Sequence, residues 1–507
     1  MAGNKSGTGA RGQGEGARLR EGPAPELVEA SFSREIADAP ILYYGLSLSD
    51  LAHVLMLMEV GVVPEEAGRS LLAHLLELHA VALEDFPLDP TLEDVYSNRE
   101  AWVRERDEAV AGWMGAGRPR REPATIAYRI AVRDRLLDLA EATIGAVRAL
   151  VGQAERHRDI VMPDYTYLQP ATPTSLGHYL LSFAYPLLRD LERLREAFAR
   201  NNRCPGGIGN INGSRLPLER RRLADLLGFD GAIENTRDAM WQVDQPVEIL
   251  TQALTHLLHL DRLAEDLQIW NTQEFGYVEL ADRHARISMI MPQKKNPYSL
   301  AFVRGITGSV MGRLVSMTAV GKTPSAQMDN RIFALGEVPR ALDDARRTTR
   351  LMAGVIDGLS FSSGIMAERA GQGFTQATDL AELVMQAEGL SYRQAHRLVG
   401  LAVRLELEAD PSAHSVSRVR LDEAAEQVLG RPVSIDDSAL QSLSDPAEVV
   451  GTRTGVGGAA SEPVGAMVVE CREALDGHEA WRRETLGRLR NKENGLLDLA
   501  RARARSA

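Results

Sequence analysis

The chain has 507 residues, of which 44% are hydrophobic, 25% charged and only 5% aromatic, an ordinary globular composition with a helical bias. Lys and Arg total 58 against 70 Asp and Glu, and the net charge of −12 speaks against general binding to nucleic acid or anionic membrane. Two cysteines, Cys204 and Cys471, make no disulfide framework and suit a reducing cytoplasm.

The elements run as follows. Residues 1–24, rich in Gly, Arg and Ser, bury too little to order and are expected to be a disordered tail without the apolar centre of a secretion signal. No run reaches the roughly 18–20 apolar residues of a membrane span, so the expectation is a soluble, cytoplasmic protein. A first helical domain is expected over residues 25–117, with a helix-rich stretch from Ser47 to Glu84. A central long-helix bundle is expected over 118–365. Its stripes are Leu137, Ala140, Ile144, Val147 and Val151; Leu250, Leu254, Leu257, Leu260, Leu263 and Leu267; and Val303, Ile306, Val310, Leu314 and Met317. Pro246 suits the first position of the second helix. A C-terminal helical domain is expected over 366–507, its final basic turns frayed. The fold class is all-α, with three domains.

Three stretches break this periodicity. Met162 to Pro173 carries three prolines and several hydroxyls. Gly206 to Ser214 is glycine-rich but lacks the spacing of a nucleotide loop. Ser288-Met-Ile-Met-Pro-Gln-Lys-Lys-Asn-Pro297 lies between two long helices. There Asn296 and Pro297 read as N-cap and first helical residue, aiming the positive helix end at Lys294 and Lys295. Such a loop makes an anion site with Ser288 within reach; a capped helix with two solvated lysines is the plainer reading.

Taken whole, this loop resembles the Gly-Ser-Ser-x-Met-Pro-x-Lys-x-Asn block of the aspartase/fumarase superfamily. Thr166-Tyr-Leu-Gln169 and His178-Tyr-Leu-Leu181 resemble its first block. Leu92 to Glu100, Leu226 to Asn235, Gln273 to Leu280, Gly373 to Leu380 and Val449 to Arg453 follow in the order of the argininosuccinate lyases. The resemblance implies the three-domain fold of that superfamily and a homotetramer with a central helical core. Each active site would then be built from three subunits. It implies anti β-elimination from a succinyl compound with release of fumarate, without metal or organic cofactor. Position by position, Ser288 falls on the catalytic base, Lys294 and Asn296 on carboxylate-holding residues, and Thr166 and Gln169 on carboxylate-binding positions. Asp94 and Asn98 match first-domain residues near the site.

The departures matter as much. Tyr167 stands at the family's histidine and Ala301 at its partner glutamate, so both ends of one pair are replaced; Tyr167 either moves a proton, holds substrate or simply packs in its loop. The family's Gly-Arg-Ser-Arg-Asn-Asp-Gln block reads Gly117-Arg-Pro-Arg-Arg-Glu-Pro123, keeping Arg118 and Arg120 and offering Arg121 as a substitute charge. Val243 replaces an arginine. Asp329-Asn-Arg-Ile332, Ala334 and Glu337 replace the segment that clasps arginine, and Glu337 inverts a lysine's charge. The expectation is a carbon–nitrogen lyase acting on an N-substituted aspartate other than the arginine-pathway substrate. Authentic argininosuccinate cleavage, another elimination or addition on a carboxylate, and an inactive scaffold are the alternatives.

Overall fold

A computed structural model describes residues 21–505 except Met328, and of Asp329 only the backbone. The expected tail lies outside the described residues up to position 20, and residues 21–24 are irregular. Helices α1 (Ala39–Glu59), α2 (Glu65–Ala80) and α3 (Val95–Arg106) come first. Contrary to the expectation that no segment is so apolar, α1 could cross a membrane by length and composition. Yet 89% of its most apolar window is buried inside the protein. A helix apolar all round is a core helix here.

The spine is α4 (Arg121–Arg156), α5 (Leu176–Asn201), α6 (Asp244–Trp270), α7 (Tyr298–Gly321) and α8 (Ile332–Asp357). Helix α4, 36 residues and about 54 Å long, packs against α8, α5 and α1, while α6 lies against α7, α8 and α5. The three stripes face inward: Leu137 to Val151 are buried, as are Leu250, Leu257, Leu260, Leu263 and Leu267, and Val303, Val310 and Met317. Pro246 sits two residues inside α6 rather than first; no donor is missed, since the whole first turn lacks acceptors for its N–H groups.

Helices α9 (Ala377–Glu388), α10 (Tyr392–Ala409) and α11 (Arg418–Leu429) close over a core of their own around Leu380, Val384, Leu398 and Leu421. The chain then returns along α12 (Ser461–Arg505) to the main core. Its end is not frayed as expected. Leu496, Leu497 and Ala500 are buried on one face of the helix, and Arg503 reaches Glu65 of α2 at 3.5 Å.

Two of the three periodicity breaks contain antiparallel ribbons. Strands β1 (Val161–Thr166) and β2 (Gln169–Ser175) pair with a bulge between Pro163 and Tyr165. Strands β3 (Arg286–Ile287) and β4 (Lys295–Asn296) close the lysine loop. The glycine-rich break is an internal clamp. Gly207 and Ile208 donate their N–H groups to the two oxygens of Glu122 at 2.9 and 3.1 Å. Burial pushes the Glu122 carboxyl up to about 7 against those bonds. The loop is thus filled by the chain's own carboxylate.

Candidate active site

The candidate residues fall on three surfaces. On the first, the β3–β4 pairing shapes the lysine loop. Asn296 is held extended in β4, its Nδ2 donating to Arg286 O at 3.1 Å, and Pro297 takes the N-cap position before α7 starts at Tyr298. The expected Asn296 cap is therefore one residue off, because strand pairing and the following proline both keep Asn296 extended. Ser288 Oγ accepts from the N–H groups of Ile290 and Met291 at 3.4 and 3.1 Å, so its lone pairs are oriented by the loop while its proton remains to give. The two lysines are not equivalent. Lys295 Nζ lies 2.8 Å from both Glu279 and Asp282, which hold its pKa above the usual range. Lys294 has no ion pair among the described residues. The expected double charge is in effect one free ammonium, Lys294, with Ser288 half-buried nearby in the loop. Around them Ile287, Met289 and Ile290 are exposed.

On the second surface, Thr166 and Gln169 face each other across the turn Tyr167-Leu168. Both turn residues adopt positive φ, 54° and 58°. Two-residue hairpin turns favour that geometry for glycine or asparagine, so two bulky side chains here carry backbone strain. The Tyr167 side chain is fully exposed. Strain at an exposed tip of this kind is characteristic of functional loops.

The third surface is a small cavity of about 20 Å³ between α1, α3, α4 and the start of α8, lined by Glu35, Asp38, Asp94, Arg121, Ile332 and Leu335 among others. Asp94 caps α3, accepting from Ser97 N at 2.8 Å, and lies 3.4 Å from Arg121 and 3.6 Å from Arg120. Burial raises its pKa against these bonds. Arg120 also pairs with Glu93. Asn98 is buried and spent on local structure: its amide donates to Asp89 O and Asp94 O at 3.0 and 2.9 Å and accepts from Asp89 N at 2.7 Å. It shapes the loop that carries Asp94.

Sequence reasoning missed Glu35 and Asp38. Arg121 forms a two-pronged pair with Glu35, Arg340 pairs with Asp38, and Glu337 lies 3.4 Å from both Arg313 and Arg340. Burial lifts the Asp38 carboxyl to about 6, Arg340 and Arg34 opposing. The only sequence signal was two carboxylates just ahead of an apolar helix, which resembles any helix start. Within one chain, Ser288, Lys294 and Tyr167 hydrogen-bond to none of the cavity residues.

Comparison with known proteins places this geometry. A lyase family model matches residues 22–312, and an argininosuccinate lyase C-terminal model matches residues 374–450. The argininosuccinate lyase of Methanoculleus marisnigri is 34% identical over 443 residues, 86% of this chain and 88% of that protein. That of Methanocaldococcus jannaschii is 31% identical over 489 residues, 95% and 97% of the two chains. Among solved structures, EDDS lyase in complex with formate superposes with a TM-score of 0.85 at 31% identity, over 96% of this chain and 97% of that one. The 3-carboxy-cis,cis-muconate lactonizing enzyme of Pseudomonas putida, at 20% identity and a TM-score of 0.69 over 89% and 99% of the chains, shares the fold. With the long-helix bundle and the ordered blocks, these likenesses establish that the chain belongs to the argininosuccinate lyase family of the aspartase/fumarase superfamily, as a carbon–nitrogen lyase.

Proposed function

We propose that the enzyme cleaves an N-substituted aspartate other than argininosuccinate by anti β-elimination. Ser288, as alkoxide, takes the β-proton. The electron pair forms the new double bond as the C–N bond breaks, and the amine leaves as fumarate or a close analogue forms. Charge that accumulates on the carboxylate next to the carbanion is met by Lys294, Asn296, Thr166 and Gln169. Fixed donors of this kind lower the barrier most when they face developing charge in a dry site. Tyr167 is the candidate proton donor to the leaving nitrogen. Asp94, Arg120 and Arg121 line the leaving-group side, with Asn98 holding their loop.

The single observation that carries the specialised substrate is the ion-pair lattice of the first-domain cavity. Arg121 is engaged by Glu35 and Asp94, and Arg313 and Arg340 by Glu337, so each of these three arginines is already paired and none is offered to the α-carboxylate of arginine. The second reading, argininosuccinate cleavage itself, is supported by the near full-length identity to argininosuccinate lyases.

We propose further that the active form is a homotetramer whose sites draw on three subunits. In support, the candidate residues lie on three separate surfaces. Helix α7 also exposes Phe302, Met311 and Val315, which a monomer has little reason to leave in water.

The test follows loss of fumarate absorbance with a panel of amines, and runs argininosuccinate in the cleavage direction. Turnover with a panel amine and none of argininosuccinate supports the proposal. Ser288-dependent turnover of argininosuccinate overturns the specialised substrate. No turnover in either direction leaves an inactive scaffold.

A further inference from the structure

A two-stranded ribbon has little stability of its own in water, and β1–β2 also carries two strained residues at its tip. Its fixed point lies next to Thr166. The hydroxyl of Tyr165 meets that of Tyr277 at 2.5 Å. Among the described residues no other side chain from Pro163 to Pro173 hydrogen-bonds outside the ribbon. The partner is well anchored. Tyr277 is only 1% exposed; it donates its N–H to Trp270 O, at the end of α6, at 3.0 Å, and its own carbonyl accepts from Ser362 N at 2.9 Å. Val278 and Glu279 then pair with Phe361 and Ser360. The Phe275 ring packs edge-on with both tyrosines, at 5.9 Å from Tyr165 and 5.5 Å from Tyr277 between centroids.

This arrangement has leverage on the tip. Successive side chains of a strand leave on opposite faces, so holding Tyr165 inward against Tyr277 turns Thr166 the other way. Thr166 and the Gln169 opposite it are both exposed. The bulge between Pro163 and Tyr165 sets that alternation, with Asp164 Oδ1 accepting from Tyr165 N at 2.8 Å. Ring packing alone leaves the ribbon free to slide, whereas a hydrogen bond fixes both a distance and a direction.

We propose that Tyr277 is a positioning residue: its hydroxyl, acting through Tyr165, holds the ribbon tip so that Thr166 and Gln169 face the substrate carboxylate. The inference rests on the carboxylate role given to those two residues above. Neither tyrosine hydroxyl touches substrate.

Tyr277→Phe keeps the ring and removes the bond. Hydrogen exchange over residues 163–173 and calorimetric titration with fumarate are measured on it, on Tyr165→Phe, on the double variant, and on Thr166→Ala. Exchange in the ribbon is expected to quicken about threefold to tenfold in Tyr277→Phe, the scale of one hydrogen bond, and fumarate affinity to fall by about the same factor. The double variant should bind fumarate no more weakly than the weaker single one, because both changes remove the same bond. The melting temperature should hold in Tyr277→Phe, since the half-buried Tyr165 hydroxyl can turn to water. Tyr165→Phe should lower it, because the buried Tyr277 hydroxyl is left unpaired. Should one variant not fold, the other still breaks the bond. Unchanged exchange in Tyr277→Phe, or additive losses in the double variant, overturns the tether. Weaker fumarate binding in Thr166→Ala but not in Tyr277→Phe keeps the carboxylate role and overturns the positioning. Unaltered binding in Thr166→Ala, or no fumarate binding by the parent protein, overturns the carboxylate role and the positioning with it.

Discussion

The first-domain cavity and the lysine loop are both built from charged residues at interruptions in helices, yet they are finished to different degrees. Around the cavity each charge is answered within the chain: Arg121 by Glu35, Asp38 by Arg340, Glu337 by Arg313. The lysine loop and the Tyr167 turn leave Lys294 without an ion pair among the described residues, Ile287, Met289 and Ile290 in water, and the Tyr167 ring wholly exposed. A region whose interactions close on themselves is stable and selective but offers little free charge. A region that leaves charge and apolar surface open has chemistry to supply and needs something else to cover it. On the proposed function, choosing a leaving group falls to the first kind of region and stabilising a carbanion to the second.

The sharpest way to break that contrast is at Ser288. Replacing it with alanine is expected to lower kcat by about 10³-fold, the scale of a positioned general base. The melting temperature should stay put, because the hydroxyl orders only two loop amides. Steady-state rates on the best amine of the panel, with calorimetry alongside, give both numbers. A proportional fall in stability would instead make Ser288 a loop brace. At the opposite pole stands Asp50, fully buried and shared by Arg99 at 3.1 Å and Arg118 at 2.6 Å. Asp50→Ala is expected to cost about 3–5 kcal/mol in chemical denaturation, since two guanidiniums would be stranded in the core. A loss under about 1 kcal/mol would show that the first segment relaxes around its charges.

A milder probe is pH. The folded-state pKa values of Asp38 and Glu122 are raised by burial, to about 6 and about 7, from the ordinary carboxylate range. A raised carboxyl pKa means that the folded protein holds the proton more tightly than the unfolded chain. Their contribution is therefore complete below about pH 4 and is lost as pH rises toward 7. Stability should fall over that window, and Asp38→Asn should flatten the fall. An Asp38→Asn profile that overlays the parent would remove Asp38 as a source of the slope.

The helices were legible because 3.6-residue stripes such as Leu250 to Leu267 have one stable use, burial. The lysine loop was legible because its chemistry is compressed into ten consecutive residues. What escaped was set by contacts distant in sequence. Asp38 meets Arg340 across 302 positions, and Glu122 meets Gly207 across 85; neither has any local signature. The β1–β2 hairpin escaped for another reason: its turn residues, Tyr167 and Leu168, are those that turn preferences least suggest. The error at the chain's end came from weighing the arginines of residues 501–505 and overlooking the apolar face of Leu496, Leu497 and Ala500 just before them.

The smallest expected effect tests the open region directly. Lys295 is tied to Glu279 and Asp282, but all three side chains are substantially exposed, at 34%, 70% and 97%. Exposed pairs are screened by water and contribute about 0–1 kcal/mol. Lys295→Ala should therefore leave the denaturation midpoint almost unchanged. It should still alter catalysis, because Glu279 and Asp282 would then present uncompensated negative charge beside Lys294. A rise in KM for the dicarboxylate, steepest at low salt and suppressed at high ionic strength, is the signature of that field. A KM that ignores salt in the variant would mean that Lys295 serves only the β3–β4 ribbon, and that Lys294 works without electrostatic help from its neighbour.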